Sequence, residues 1–233
     1  MQTTDPRKPL IIGIIAMGIL VFAGIVWAVA FAPTERSAGA PEANLAFDDS
    51  NDPAYGPDNA KIVVRMFEDF QCPACRAAKA GVDYAKKKFG DRVKFVWVDF
   101  PLQSVHLNAR IAANAARCGE EQGLFWEYHD ILFDFQPNWA ESKNPTAEFT
   151  DLARKTGLNE GAFTACLNAR TYDDKIVKDM EEGRANNVQA TPTFFINKTR
   201  VSGALSAADW DKYLLPLLNM ASASQEAGES SEQ

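Results

Sequence analysis

The chain has 233 residues, 46% of them hydrophobic, with 24 Lys and Arg against 31 Asp and Glu and a formal net charge of −7. That apolar share excludes a wholly disordered chain, and 14 Gly with 12 Pro exclude a fibrous repeat. The acidic balance argues against nucleic acid as a partner, because neutralising phosphates needs a basic face. Four cysteines are too few for a disulfide-dense scaffold, so their spacing carries more information than their number.

Residues 10–32 are 23 consecutive positions without a charge. As a helix they would run roughly 35 Å, enough to cross the hydrocarbon core of a bilayer. Arg7 and Lys8 precede them, whereas Glu35 and Arg36 nearly cancel after them. The positive-inside rule then predicts a single-pass anchor with a cytoplasmic N-terminus and a periplasmic or extracellular domain. A cleaved signal peptide is the alternative. Its apolar region is usually about 7–15 residues long, and the small-x-small site Ala30-Phe31-Ala32 is followed by Pro33, a poor residue for cleavage. On either reading the rest of the chain is exported, and its cysteines sit in an oxidising space.

Residues 33–60 hold Pro33, Pro41, Pro53 and Pro57 among small and polar residues, the composition of a flexible linker. Residues 221–233 have almost no apolar content and read as a disordered tail. Between them, 61–220 reads as one folded domain. Residues 61–67 (KIVVRMF) are a strand candidate, 73–89 a helix with Pro73 in its first turn and Lys86, Lys87 and Lys88 in its last, and 93–100 a second strand. Strand, helix, strand predicts a parallel, right-handed βαβ unit. The lysine run is read as a solvated helix end. Helical spacing then covers 107–118, 124–133, 147–156, 160–168 and 173–186, with Phe125, Trp126, Tyr128 and Phe133 as core packing. Residues 193–197 predict a strand, Asn197-Lys198 a turn into a strand near 200–202, and Ser206 the cap of a last helix to 218.

The chemistry lies in Cys72-Pro73-Ala74-Cys75, placed after a strand and at the start of a helix. Unpaired N–H groups and the positive end of the helix dipole stabilise a thiolate there. Cys72 is therefore read as the exposed attacking sulfur, and Cys75, one turn inside, as the resolving one. Half of a zinc site would need a second close pair of ligands. Cys118 and Cys166 are single, and His106 and His129 stand far apart, so neither a metal nor a cofactor is expected. A reducible structural disulfide at this spacing is a further alternative. From another class, a tethered chaperone could hold Cu(I) on the two thiolates with Met66 as the nearest third soft ligand, although Met66 on a strand interior reads as core. The sequon Asn197-Lys198-Thr199 is discounted as a coincidence within a strand and turn.

Glu68-Asp69-Phe70-Gln71-Cys72-Pro73-Ala74-Cys75 resembles the active site of the DsbA-like thiol:disulfide oxidoreductases of the thioredoxin superfamily, and Ala190-Thr191-Pro192-Thr193-Phe194-Phe195-Ile196-Asn197 resembles their second hallmark loop. Ala115-Ala116-Arg117-Cys118 and residues 123–130 resemble their inserted helical domain. The resemblance runs over about residues 54–218. It implies an α/β thioredoxin fold with a helical insertion at about 104–186, and a cis Thr191-Pro192 loop that faces the cysteines and binds substrate backbone. It also implies a structural disulfide between Cys118 and Cys166, a pairing that an even cysteine remainder in an exported protein favours.

The implied activity is disulfide exchange with cysteine-containing exported proteins. Oxidation is the favoured direction, with a quinone-linked membrane partner for recycling, and reduction or isomerisation is the alternative. The sequence departs from the family twice. Pro73-Ala74 lacks the histidine of the strongest oxidases, and Met66 stands where thioredoxin-like proteins often bury an acid. Glu68 and Asp69, which could assist proton transfer, are expected to face solvent.

Overall fold

The computed structural model describes residues 45–229, with side chains to residue 223. The expected anchor at 10–32 lies outside the described residues. Among those described, no helix is long and apolar enough to cross a membrane.

Five strands form one mixed sheet: β1 (Ala54–Tyr55), β2 (Ile62–Glu68), β3 (Val93–Asp99), β4 (Thr193–Ile196) and β5 (Thr199–Ser202), in the order β1-β3-β2-β4-β5. β2 and β3 run parallel, joined by helix α1 (Pro73–Phe89), as the βαβ reading requires. β4 pairs antiparallel with β2, Phe67 lying opposite Thr193. That register brings the residues before β4 to the same sheet end as the residues after β2, where Cys72 follows. The two faces of the central strands are both covered. Val64, Met66, Phe95, Trp97 and Phe194 enter the larger core, and Phe67, Val96, Val98 and Phe195 a smaller one.

The insertion consists of α2 (Ala109–Glu120), α3 (Phe125–Asp134), the short α4 (Gln136–Trp139), α5 (Pro145–Thr156), α6 (Glu160–Ala169) and α7 (Asp173–Ala185). A disulfide joins Cys118 of α2 to Cys166 of α6, with an S–S distance of 1.98 Å. Phe125, Tyr128 and Phe133 are core residues, as expected. Lys86 is no solvated lysine: its Nζ lies 3.6 Å from the Trp126 ring centroid. α8 (Ala207–Glu229) closes the chain against α1. Ser206 and Asp209 form a reciprocal cap at its start: Asp209 N donates to Ser206 Oγ (3.2 Å) and Ser206 N to Asp209 Oδ2 (2.9 Å). The approach to α1 requires Gly81, where a Cβ would stand 2.0 Å from the Leu205 carbonyl oxygen.

Two boundaries differ from the sequence reading. The linker expected over 33–60 is packed onto the domain from Leu45 onward. Leu45 and Phe47 lie on the smaller core, the Arg65 guanidinium pairs with Asp49, and β1 adds an edge to β3. Proline and polar residues are compatible with this because the segment is held by side-chain pairs rather than by a continuous apolar face. The tail expected from 221 is helical to Glu229, α8 continuing past Pro216.

A buried ionic cluster ties these parts together. Arg117, fully buried, donates to Asp99 Oδ2 (2.7 Å), Asp52 Oδ1 (2.7 Å), Asp179 Oδ2 (2.9 Å) and the Asn51 carbonyl (2.8 Å). Lys175 pairs with Asp52 and Asp179. Burial, and the neighbouring Asp99 and Asp52 carboxylates, push Asp179 up to about 7. Segment, sheet and insertion thus share one set of charges that desolvation would make costly to separate.

Candidate active site

Helix α1 begins at Cys72, whose extended backbone (φ −69°, ψ 122°) leaves it as N-cap with Pro73 in the first helical turn. The proline has no N–H to waste there, while the amides of Ala74 and Cys75 turn toward the Cys72 sulfur. Cys72 and Cys75 are not bonded to each other. A hydrogen bond from the Cys75 thiol, opposed by burial and helped by Thr191 and the two amides, brings Cys72 down to about 5. Burial, and the same hydrogen bond given to Cys72, push Cys75 well above the ordinary thiol range. Cys72 is less open than expected: 7% exposed, against 0% for Cys75. The α1 N-terminus and the loop before β4 close over it.

Thr191-Pro192 is a cis peptide, as the resemblance implied, and the Cys72 thiol donates to the Thr191 carbonyl at 3.5 Å. The Thr191 hydroxyl is buried and has no hydrogen-bond partner among the described residues. It can turn its hydrogen to a Cys72 thiolate.

Glu68 and Asp69 do not face solvent: they are 3% and 1% exposed. Strand β2 ends under α1, so its last side chains are enclosed by the helix and insertion. Burial, reinforced by the Cys72 negative charge, pushes Glu68 up to about 8, and its carboxyl meets the Cys75 thiol. A buried acid therefore exists, at Glu68 and not at the Met66 position, which is core at 0% exposure.

Asp69 is a bracket. It accepts from Gln71 N (2.7 Å) and Leu102 N (2.9 Å), and its Oδ2 lies 2.7 Å from His106 Nδ1. The insertion grips the same loop. Gln136 Nε2 donates to the Phe70 and Cys72 carbonyls (2.7 and 3.1 Å), and Gln71 bridges Ala140 O and Asn108 N, each at 2.7 Å. Gln71, Asn108 and Gln136 carry no sequence signal, because their partners lie 31 to 69 residues away. His129, weighed above as a metal ligand, is 2% exposed and packed among Phe70, Trp97 and Phe133, and burial lowers its pKa. Among the described residues no group of three or more His, Cys, Asp or Glu could hold a metal ion.

A stabilised thiolate at a helix N-terminus, a protonated partner thiol and a buried acid beneath them are the features that thiol–disulfide exchange requires. A family model described as thioredoxin matches residues 48–215. Among solved structures, the chain is similar to DsbA of Chlamydia trachomatis (TM-score 0.66, 18% identity, covering 78% of this chain and 98% of that one). It is also similar to oxidised BdbD of Bacillus subtilis (0.61, 26%, 76% and 94%) and to a thioredoxin-like oxidoreductase of Silicibacter pomeroyi DSS-3 (0.63, 22%, 73% and 94%).

Curated relatives include the Na(+)/H(+) antiporter NhaA 3 of Salinispora tropica, 35% identical over 171 residues, which are 69% of this chain and 24% of that protein. Another is NhaA 1 of Mycolicibacterium vanbaalenii, 30% identical over 208 residues, 84% and 32%. The chain thus spans about a quarter to a third of the length of the curated relatives it matches. The chain belongs to the thioredoxin family.

Proposed function

We propose that this protein is a membrane-anchored, extracytoplasmic oxidase of cysteine-containing exported proteins, acting through Cys72 and Cys75. One observation carries the reading: reduced Cys72 is held near 5 by groups already in place around it. Whatever stabilises the dithiol form relative to the disulfide makes the disulfide more oxidising. Nucleophilic cysteines of this superfamily fall at about 7 in thioredoxin and about 3.5 in DsbA. The value here lies between them, consistent with Pro73-Ala74 lacking a histidine.

In the proposed cycle a substrate thiolate attacks Cys72 of the Cys72–Cys75 disulfide, and Cys75 leaves with the electron pair of the broken S–S bond. Glu68, protonated at neutral pH, stands where it can supply the proton that Cys75 takes up. A second substrate thiolate then attacks the substrate sulfur of the mixed disulfide and releases Cys72 as a thiolate. The substrate loses two electrons and two protons; the enzyme keeps both electrons and one proton, on Cys75, and the other proton goes to solvent. If the second substrate thiol is absent, Cys75 resolves the mixed disulfide in reverse. Thr191 and Pro192 are assigned to substrate backbone, and a quinone-linked membrane partner to reoxidation. Residues 10–32 serve as the bilayer anchor, supported by their uncharged length.

The test is the equilibrium potential of the Cys72–Cys75 couple against glutathione. A value toward about −120 mV supports oxidation; one near about −270 mV assigns the protein to reduction. Tight Cu(I) binding without a reversible dithiol couple would return the copper-chaperone reading.

A further inference from the structure

A groove of about 500 Å³ lies between the loop after β3 and the end of α7. Phe100, Leu102, Met180 and Val188 give it apolar walls, and Arg110 and Arg184 stand among its lining residues. Both walls are tied to the reactive loops. Leu102 N donates to Asp69, three residues before Cys72, and Val188 leads directly into the Thr191-Pro192 loop, whose carbonyl meets the Cys72 thiol.

The walls are rigid. His106 is paired with Asp69, the amides of Val105 and His106 donate to the Leu102 carbonyl (3.0 and 2.9 Å), and α7 presses so close that a Cβ on Gly183 would stand 2.6 Å from the Phe100 ring. A preformed groove spares a ligand the cost of ordering it.

Its charge is opposite to that of the molecule. The chain carries a net −7, yet the groove lining includes two guanidinium groups and no carboxylate. Arg110 is satisfied by Asp173 (3.1 Å). Arg184 is exposed and has no ion-pair partner among the described residues. Beyond the rim, Val105 and Leu107 are 69% and 85% exposed, so the same loop offers apolar contact outside the groove.

We infer that this groove binds an extended segment of the substrate polypeptide flanking its cysteine, with apolar side chains against Phe100, Met180 and Val188 and a carboxylate on Arg184. The inference rests on the proposed exchange with protein substrates and adds to it a preference for acidic, apolar flanks.

The test uses the full-length oxidised chain in detergent and follows its reduction by three reagents. These are dithiothreitol, a dithiol peptide with Leu and Glu on both flanks of its cysteines, and the same peptide with Lys for Glu. The expected result is a faster reaction with the Glu peptide. Arg184→Glu should lower the Glu-peptide rate about tenfold and favour the Lys peptide, as the loss of a charge-assisted hydrogen bond implies. Arg184→Lys should restore most of the rate, and dithiothreitol should react equally with all forms. Equal rates of the unaltered and Arg184→Glu chains with both peptides overturn the groove alone, as does a loss shared with dithiothreitol. Reduction by dithiothreitol but by neither peptide in the unaltered chain overturns the exchange reading itself.

Discussion

Thr191 meets Cys72 from both ends of one residue: its carbonyl accepts from the thiol at 3.5 Å, and its unpartnered hydroxyl is available to the thiolate. The two residues stand 119 positions apart in sequence, a stretch that contains the whole insertion, so the contact exists only because β4 pairs with β2.

Alkylation of the reduced protein by iodoacetamide should titrate with a midpoint near pH 5, the value at which Cys72 is held. Thr191→Val keeps the shape and removes the hydroxyl. The midpoint should rise by about one pH unit, worth about 1.4 kcal/mol and comparable to one hydrogen bond to a charged group. An unchanged midpoint would show that the helix N-terminus and Cys75 suffice.

Glu68 should mask a pH dependence of stability. In the folded reduced protein Cys72 sits near 5 instead of 9.0, and Glu68 near 8 instead of 4.5. Between pH 5 and 8 the folded chain has lost the Cys72 proton that the unfolded chain retains, and it retains the Glu68 proton that the unfolded chain has lost. The depressed thiol raises stability as pH increases and the raised carboxyl lowers it, so the two slopes offset. Glu68→Gln removes the second alone. Relative to the unaltered protein, its reduced form should gain stability across pH 5–8 at up to about 1.4 kcal/mol per unit. Urea unfolding at several pH values reads this directly, and parallel curves for the two proteins would refute it.

The Cys118–Cys166 disulfide spans 48 residues. Its removal by Cys118→Ala with Cys166→Ala should cost roughly 4 kcal/mol on the loop-entropy account. The iodoacetamide reactivity of Cys72 should not change, because the bridge lies between α2 and α6 and not in the loops around the thiol. A variant of undiminished stability under non-reducing conditions would contradict a structural role.

Arg117→Met leaves Asp52 and Asp179 buried with Lys175 as their remaining cation, and Asp99 buried without its Arg117 partner. A loss of about 3–5 kcal/mol at pH 7 is expected, because breaking a buried pair strands the partner charges. The loss should shrink as pH falls and the carboxylates take up protons. Amide hydrogen exchange should quicken first in residues 45–55, which Asp52 and Asn51 fasten to Arg117.

The strand-helix-strand core, the long helices of the insertion and the cysteine pair at a helix start were legible in the sequence, because each is written in neighbouring residues. Hydrophobic spacing repeats within a few positions, Pro73 marks a first turn, and the four residues of the Cys-x-x-Cys need no distant partner to define their chemistry. The fate of Glu68 and Asp69 was not legible. Two adjacent acids read locally as solvated, and only the closure of α1 and the insertion over the end of β2 removes them from water. Residues 45–60 and Arg117 were missed for the same reason: proline and aspartate look like linker until their ionic partners arrive from α2 and α7.

The sequence by itself determined that this chain carries a thiol pair at the mouth of a βαβ unit. The tertiary structure decided what surrounds that pair. Thr191 above it, Glu68 below it and the Asp69–His106 bracket beside it come from segments 37 to 119 residues apart, or from residues whose burial depends on such segments. Desolvation and hydrogen bonding across those distances, rather than the local motif, set the proton affinities of Cys72 and Glu68.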